Sequence, residues 1–357
     1  MSETKCQRLA QQMPQGFEAA LITTESNRFY FLDLDTWDAG TLLIFPDESV
    51  FLIDPRYLEI AQQTVKTARV EEETNALQQV AQLLRARGVK RLYVEDEVTV
   101  GYAARLREVL AGITVDVSDT LTMTVRRMRQ LKDAQEVDRM RRAQKITDDC
   151  FTYICGKVRP GAREIDLALE METFMRSHGA SGLAFATIFV SGKKTSLPHG
   201  EPGEKVIEDG DFVTMDFGAK WGGYCTDMTR TVAVGSVSDE MERVYNTVLE
   251  AQKACCATIH AGMTGIEVDA IARNIIADAG YAGRFGHGLG HSVGIDIHED
   301  PRCSPRDASV LQPGMLMTIE PGIYLPGKFG VRIEDTVLLT ESGCEILGKS
   351  DKNLILL

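Results

Sequence analysis

The chain has 357 residues, 44% of them hydrophobic and 25% charged, with a mean hydropathy of −0.12; this suits a globular protein of roughly two domains with ample core and excludes a disordered chain. A net charge of −13 and a pI near 5.1 repel phosphate backbones, which argues against nucleic acid as the main partner. No apolar run approaches the roughly 18 residues of a membrane span, and Met1-Ser-Glu-Thr-Lys-Cys-Gln is too polar to open a signal peptide, so a cytoplasmic protein without membrane association is expected. Eight cysteines without a Cys-x-x-Cys pair or zinc-ribbon spacing read as reduced thiols used as small apolar residues.

Residues 1 to about 120 alternate short strands and helices. Phe17–Ile22, Phe29–Leu32, Thr41–Phe45 and Val50–Ile53 are strand-like, with Pro46-Asp-Glu-Ser49 turning a hairpin between the last two. Asn75–Arg87 and Gly101–Ala111 are predicted as helices, Arg91–Val94 and Ile113–Val117 as strands. This small α/β domain has no histidine and no acids at ligand spacing, so no chemistry of its own is assigned to it. Its polar loop Asp33–Gly40 carries Trp37, either in an ordinary surface turn or as a cap on a site elsewhere. A linker is expected over Ser118–Thr124, then a long helix over Leu131–Lys157. The arginines at 126, 127, 129, 139, 141 and 142 are interrupted by Asp133, Glu136 and Asp138, as on a solvated helix face.

The second half of the chain is written twice. Val213-Thr-Met-Asp216-Phe-Gly-Ala and Met317-Thr-Ile-Glu320-Pro-Gly-Ile are apolar runs that place a threonine and a carboxylate on one strand face and then stop at glycine. Gly210, Thr214, Asp216 and Gly218 are matched 104 positions later by Gly314, Thr318, Glu320 and Gly322, and the acids Asp227 and Glu334 follow, 107 apart. Upstream, Gly161, Ile165 and Gly179 recur after 101 positions as Gly262, Ile266 and Gly280, in stretches with helical periodicity. A tandem duplication of a helix, helix, strand, strand unit is predicted, each copy supplying two acids to one centre. Four carboxylates in apolar surroundings cannot all ionise without positive charge between them, and divalent metal is the simplest source.

Four of the six histidines, His199, His287, His291 and His298, fall in this half beside glycine-rich or proline-containing turns. Phe285-Gly-His287-Gly-Leu-Gly-His291-Ser-Val-Gly294 lets backbone approach a ligand closely and is a poor helix. Two histidines there, with four acids expected nearby, point to a site, whereas His178 and His260 lie in helices outside the motifs.

With those residues assembled, Asp216, Asp227, His291, Glu320 and Glu334 resemble the ligand set of the pita-bread metallopeptidases in order, spacing and flanking residues. Residues 123–357 resemble that family's catalytic domain, and residues 1–122 resemble the creatinase-type N-terminal domain of its proline-specific branch. Leu197-Pro-His199-Gly, Ile-His298-Glu and Val-Arg332-Ile-Glu also fit the Xaa-Pro dipeptidase and aminopeptidase P pattern. The resemblance implies an α/β (α+β) chain with a pseudo-twofold pita-bread domain and a homodimer. It further implies two divalent ions, manganese foremost, with cobalt, zinc or iron as alternatives, held by those five residues. The substrate expected is a small peptide with proline in second position, attacked by hydroxide from a water between the metals. Glu320 would pass the proton toward the leaving amine. His287 and His298 would donate hydrogen bonds to the tetrahedral intermediate, and His199 would orient it from the pocket edge.

Arg332 shares a strand face with Glu334, placed to pair with acids or with a substrate carboxylate. Phe185 is a candidate wall for the proline ring, or an ordinary core residue. A dipeptidase must close the pocket behind proline with a cation or a capping loop, a role open to the Trp37 loop of a neighbouring subunit; aminopeptidase P must leave that side open. The compact N-terminal domain favours the dipeptidase. Metal-free binding modules of this fold have lost ligands that this chain keeps.

Overall fold

Short strands and side-chain-capped helices build each of the two units into which the chain divides, Met1–Arg129 and Gln130–Leu357. The computed structural model describes residues 3–37 and 39–357. In the first unit, β1 (Ala20–Ile22), β2 (Thr41–Ile44), β3 (Ser49–Ile53), β4 (Arg69–Glu72), β5 (Arg91–Val94) and β6 (Thr114–Asp116) form one mixed sheet in the order β4-β3-β2-β1-β5-β6. Six helices accompany it: α1 (Lys5–Gln12), α2 (Glu25–Leu32), α3 (Pro55–Thr64), α4 (Ala76–Ala86), α5 (Val100–Val109) and α6 (Thr120–Gln130). Asn75 and Thr99 cap α4 and α5 by accepting from Gln78 N and Tyr102 N, which is why these helices start where they do.

Two local expectations are corrected here. Phe29–Leu32 is the last turn of α2, not a strand. Aromatic residues favour strands only where a pleated face is available to pack them. In α2 the face formed by Asn27, Arg28, Tyr30, Phe31 and Leu32 is buried instead, and Asp33 ends the helix in the left-handed conformation at φ 54°. Ser118–Thr124 is no linker either, because α6 begins at Thr120 and buries Leu121, Thr122, Thr124 and Val125. That helix runs through position 122 and belongs with the first unit.

The second unit opens with α7 (Ala134–Cys155), whose start is fixed by a capping box between Asp133 and Glu136. There follow α8 (Glu164–Ser177), β7 (Gly182–Leu183), β8 (Ile188–Ser191), β9 (Phe212–Phe217), β10 (Ala219–Trp221), β11 (Tyr224–Cys225) and β12 (Met228–Ala233). Then the pattern repeats with α9 (Asp239–Thr258), α10 (Gly265–Ile276), β13 (Gly290–Ser292), β14 (Glu299–Cys303), β15 (Leu316–Ile319), β16 (Gly322–Leu325), β17 (Phe329–Arg332), β18 (Asp335–Leu339) and β19 (Cys344–Ile346). One half stacks α7 and α8 on the sheet β12-β9-β8, around Phe151, Met171 and Met215; the other stacks α9 and α10 on β14-β13-β15-β18-β19, around Tyr245, Val268 and Met317.

The correspondence reaches individual hydrogen bonds. Gly161 N donates to Ile207 O at 2.9 Å, and Gly262 N donates to Leu311 O at 2.8 Å. The return bonds, Ile207 N to Ala162 O and Leu311 N to Met263 O, are both 2.8 Å. Gly161 and Gly262 also share a left-handed backbone, at φ 90° and 97°. A Cβ would meet nothing within 4 Å at either, so only backbone strain opposes a side chain. Gly161→Ala and Gly262→Ala are each expected to lower unfolding free energy by about 1–2 kcal/mol, by similar amounts, as read from urea denaturation midpoints.

Candidate metal centre

The acids stand at the ends of paired strands. Asp216 on β9 lies opposite Thr229 on β12, and Asp227 immediately precedes β12. In the repeated half the last rung joining β15 to β18 is Ile319 with Asp335, so Glu320 and Glu334 lie just beyond it. The halves are latched together at this point. Glu334 N donates to Thr229 O at 3.1 Å, Thr229 Oγ1 to Glu334 Oε2 at 2.7 Å, and Thr336 Oγ1 to Asp227 O at 2.9 Å. Arg230, buried, anchors the same junction through Thr229 O at 2.9 Å, Glu334 O and Asp335 Oδ1 at 2.8 Å.

The glycine-rich loop is held by α10. Asp269 and Arg273 pair there at 2.7 Å; Asp269 accepts from Leu289 N, and Arg273 donates to Phe285 O and His287 O. Beyond the loop, β13 brings His291 against β15, with His291 N donating to Thr318 Oγ1 at 3.0 Å. The approach is so close that a Cβ on Gly290 would lie 2.0 Å from Thr318 O, which is why the position takes glycine.

The five predicted ligands are thus brought together. Carboxylate oxygens of Asp216, Asp227 and Glu334 lie within 4.8 Å of one another, and His291 Nε2 is 3.6 Å from Asp227 Oδ2 and 3.5 Å from Glu320 Oε1. Burial first, then the charges of Asp216 and Glu320, pushes Asp227 well above the usual carboxylate range. Burial and Asp227 do the same to Glu334. Burial raises Glu320 to about 8 against the opposing field of Arg332.

Burial also lowers His291 to about 4, so its ring is neutral. Its Nδ1 is 3.0 Å from Ser292 O, and a carbonyl accepts only, so the ring proton sits on Nδ1. Nε2 therefore presents a lone pair to two carboxyl groups, a repulsive contact unless a proton or a cation lies between them. Asp216 Oδ1 and Glu334 Oε1 are likewise buried with no hydrogen-bond partner among the described residues. Orphaned carboxylate oxygens converging with an imidazole lone pair suit divalent metal.

The remaining predicted residues divide. Arg332 donates to Asp216 Oδ2 at 2.6 Å, Thr229 Oγ1 at 3.1 Å, Tyr324 Oη at 2.9 Å and Pro198 O at 3.2 Å, so it pairs with an acid of the centre. His287, expected to donate to the reacting group, has Nδ1 at 2.8 Å from Gly288 O, which only accepts, and Nε2 at 2.9 Å from Tyr324 Oη. His199, His298 and Phe185 line one cavity of about 1250 Å³ with His287 and the five ligands. His298 packs edge-on against His291, ring centroids 4.5 Å apart. Trp37 belongs to the first unit, where it is 68% exposed; Asp38 beside it lies outside the described residues.

Sequence reasoning missed Thr229, Tyr324 and the loop-holding pair on α10. Thr229 follows Asp227 by two residues and Tyr324 follows Glu320 by four. It also missed Arg302 and Arg306, exposed on the cavity wall, for which no sequence pattern gave a signal.

Comparison with known proteins decides the family. Residues 138–341 match the model of metallopeptidase family M24, and residues 5–130 match the creatinase/prolidase N-terminal domain. The chain belongs to metallopeptidase family M24. It is 41% identical to the uncharacterized peptidase YqhT of Bacillus subtilis, over 96% of both chains. Among solved structures it is similar to an Xaa-Pro dipeptidase from Bacillus anthracis, with a TM-score of 0.93 and 39% identity, covering 99% of this chain and 100% of that one. It is also similar to an X-Pro aminopeptidase from Thermotoga maritima, with a TM-score of 0.92 and 34% identity, covering 98% and 100%. This M24 enzyme is therefore an Xaa-Pro dipeptidase-like metallopeptidase of the α/β class, its repeated half the pita-bread domain. Family membership implies divalent metal, which the donor set fits. Among the described residues no helix is long and apolar enough to cross a membrane.

The carboxylate shifts set a sign for stability. Glu320, near 8 when folded against an ordinary 4.5, keeps a proton that the unfolded chain has already lost between those values. Folding of the metal-free M24 protein therefore weakens as pH rises from about 6.5 to about 8, above the range in which His287 and His291, each lowered from 6.5 to about 4, act in the opposite sense. Calorimetry of chelator-treated protein is expected to show the melting temperature falling over that window. Added divalent manganese should raise it, by more at pH 8 than at pH 6; a metal-free melting temperature that climbs across the window contradicts the assignment.

Proposed function

We propose that this M24 peptidase hydrolyses the Xaa-Pro bond of dipeptides, with two divalent ions, manganese foremost, held by Asp216, Asp227, His291, Glu320 and Glu334. The observation that carries the choice of dipeptide is the pair of cations, Arg302 and Arg306, on the wall of the cavity that holds those five residues. In a dipeptide the proline carries the free carboxylate, one residue beyond the scissile bond. A guanidinium within the same cavity can receive it through charge-assisted hydrogen bonds. Xaa-Pro is a tertiary amide without an N–H, so the ring must be recognised by shape; Phe185 and Ile188 supply apolar surface to do so.

What bound divalent ions supply is Lewis acidity toward the scissile carbonyl and toward water. The chain's own groups would do the rest. Thr318 Oγ1 donates to Glu320 Oε1 at 3.3 Å, which leaves Oε2 to accept the proton released by the attacking water and deliver it to the proline nitrogen. Burial lowers His298, which keeps its imidazole neutral at pH 7; with His199, across the same cavity, it can donate an N–H to the developing oxyanion. Arg332 holds Asp216, and Tyr324 holds His287 in one tautomer, so neither ring nor carboxylate reorients during the reaction.

All eight cysteines are free, which supports a reducing, cytoplasmic setting. A homodimer accords with the family resemblance and gives the exposed Trp37 a surface to cover. Aminopeptidase P activity is the second reading, favoured by a cavity of about 1250 Å³, larger than the ~300–1,000 Å³ of most small-molecule sites.

Chelator-treated protein is expected to lose cleavage of an Xaa-Pro dipeptide and to regain it with added manganese, and the wild type should cleave the dipeptide in preference to an Xaa-Pro tripeptide. Undiminished turnover after chelation counts against the metal; preference for the tripeptide counts against the dipeptidase. Asp216→Asn, nearly isosteric but uncharged, should abolish hydrolysis while circular dichroism stays close to wild type. Arg302→Met should raise KM for the dipeptide about tenfold or more and leave KM for its C-terminal amide little changed.

A further inference from the structure

The duplication places a threonine at the same point in both halves, Thr229 on β12 and Thr336 on β18, 107 residues apart like Asp227 and Glu334. Both side chains are buried, and both hydroxyls cross to the other half. They do different things there. Thr336 donates to a backbone carbonyl, Asp227 O, at 2.9 Å. Thr229 donates to the carboxylate of Glu334, at Oε2 and 2.7 Å, while its oxygen accepts from Arg332 Nε at 3.1 Å.

A hydroxyl has one proton, so the two contacts define its orientation completely. Arg332, oriented in turn, donates from Nη2 to Asp216 Oδ2 at 2.6 Å. The chain Glu334, Thr229, Arg332, Asp216 thereby occupies one oxygen on each acid. The oxygens left over, Glu334 Oε1 and Asp216 Oδ1, are the two carboxylate oxygens of the cavity that are buried and without hydrogen-bond partners among the described residues.

We propose that Thr229 is a positioning residue: its hydroxyl sets the rotation of the Glu334 carboxylate and the Arg332 fork, and so selects which carboxylate oxygens face a bound divalent ion. This rests on the metallopeptidase reading of the centre. The backbone there is fixed independently, by the bond from Glu334 N to Thr229 O at 3.1 Å and by Arg230 on Thr229 O at 2.9 Å. Thr229→Val therefore keeps the strand and its β-branched shape, but leaves Glu334 Oε2 and Arg332 Nε without their partner and the carboxylate free to turn.

The test is titration of manganese alone into full-length, chelator-stripped protein, followed by calorimetry. Wild type is expected to take up the ion, Thr229→Val to bind it at least about tenfold more weakly, and Thr229→Ser, which restores the hydroxyl, to return to the wild-type range. Thr336→Val is the internal comparison: it should lower the melting temperature yet bind manganese like wild type. If Thr229→Val does not fold, Thr229→Ala, which removes the same hydroxyl with less bulk, takes its place against Thr229→Ser. Wild-type affinity in Thr229→Val, a serine variant as weak as the valine one, or equal weakening by Thr336→Val each overturns the proposal. Failure of the wild type itself to take up manganese removes the metallopeptidase reading, and this inference with it.

Discussion

Bringing several carboxylates into one space poorly reached by water is costly, because each one that ionises raises the cost of ionising the next. The centre of this enzyme accepts that cost four times over, and adds the lone pair of a neutral imidazole. Much of the surrounding structure can be understood as what keeps the arrangement from relaxing. Arg332 neutralises part of Asp216, Thr229 and Thr318 each bind one oxygen of a glutamate, and Arg230 ties two strands together where they meet. Left to itself such a cluster would protonate or splay. Held by two packed half-sheets it remains set for cations.

The support is distributed unevenly. On the side of Asp216 and Glu334 the neighbours are charged or hydroxyl-bearing side chains; on the side of His291 they are mainly backbone, with Ser292 O fixing the ring and the α10 pair fixing the loop that precedes it. Side-chain neighbours define rotamers, whereas backbone neighbours define where a residue sits. A carboxylate has two equivalent oxygens and needs the former. An imidazole needs its tautomer chosen, and one carbonyl suffices for that.

How much of this could be read from the sequence varied with the range of the signal. The duplicated strands were legible because Thr214 with Asp216 and Thr318 with Glu320 carry the same alternation and glycine stop, a pattern confined to a few residues. Phe29–Leu32 was misread because four aromatic and aliphatic residues satisfy a strand rule equally well, and only the burial of Asn27 and Arg28 on the same turn reveals a helix. The state of His287 was out of reach: it depends on Gly288 O and on Tyr324, 37 residues away. Arg302 is exposed and flanked by nothing distinctive, so its place on the cavity wall is a property of β14 in three dimensions and not of any local spelling.

The two halves also differ at one rung. Ser191 pairs with Val213 in the first half as Ser292 pairs with Met317 in the second, and Val213 and Met317 are themselves equivalent. One step back from each serine, the first half therefore has buried Val190 where the second has His291. Acidic charge is contributed evenly by the two copies, but nitrogen comes from one alone. A centre laid out on a near-twofold frame is thus chemically lopsided, and the departure from symmetry traces to a valine and a histidine at a single matched site.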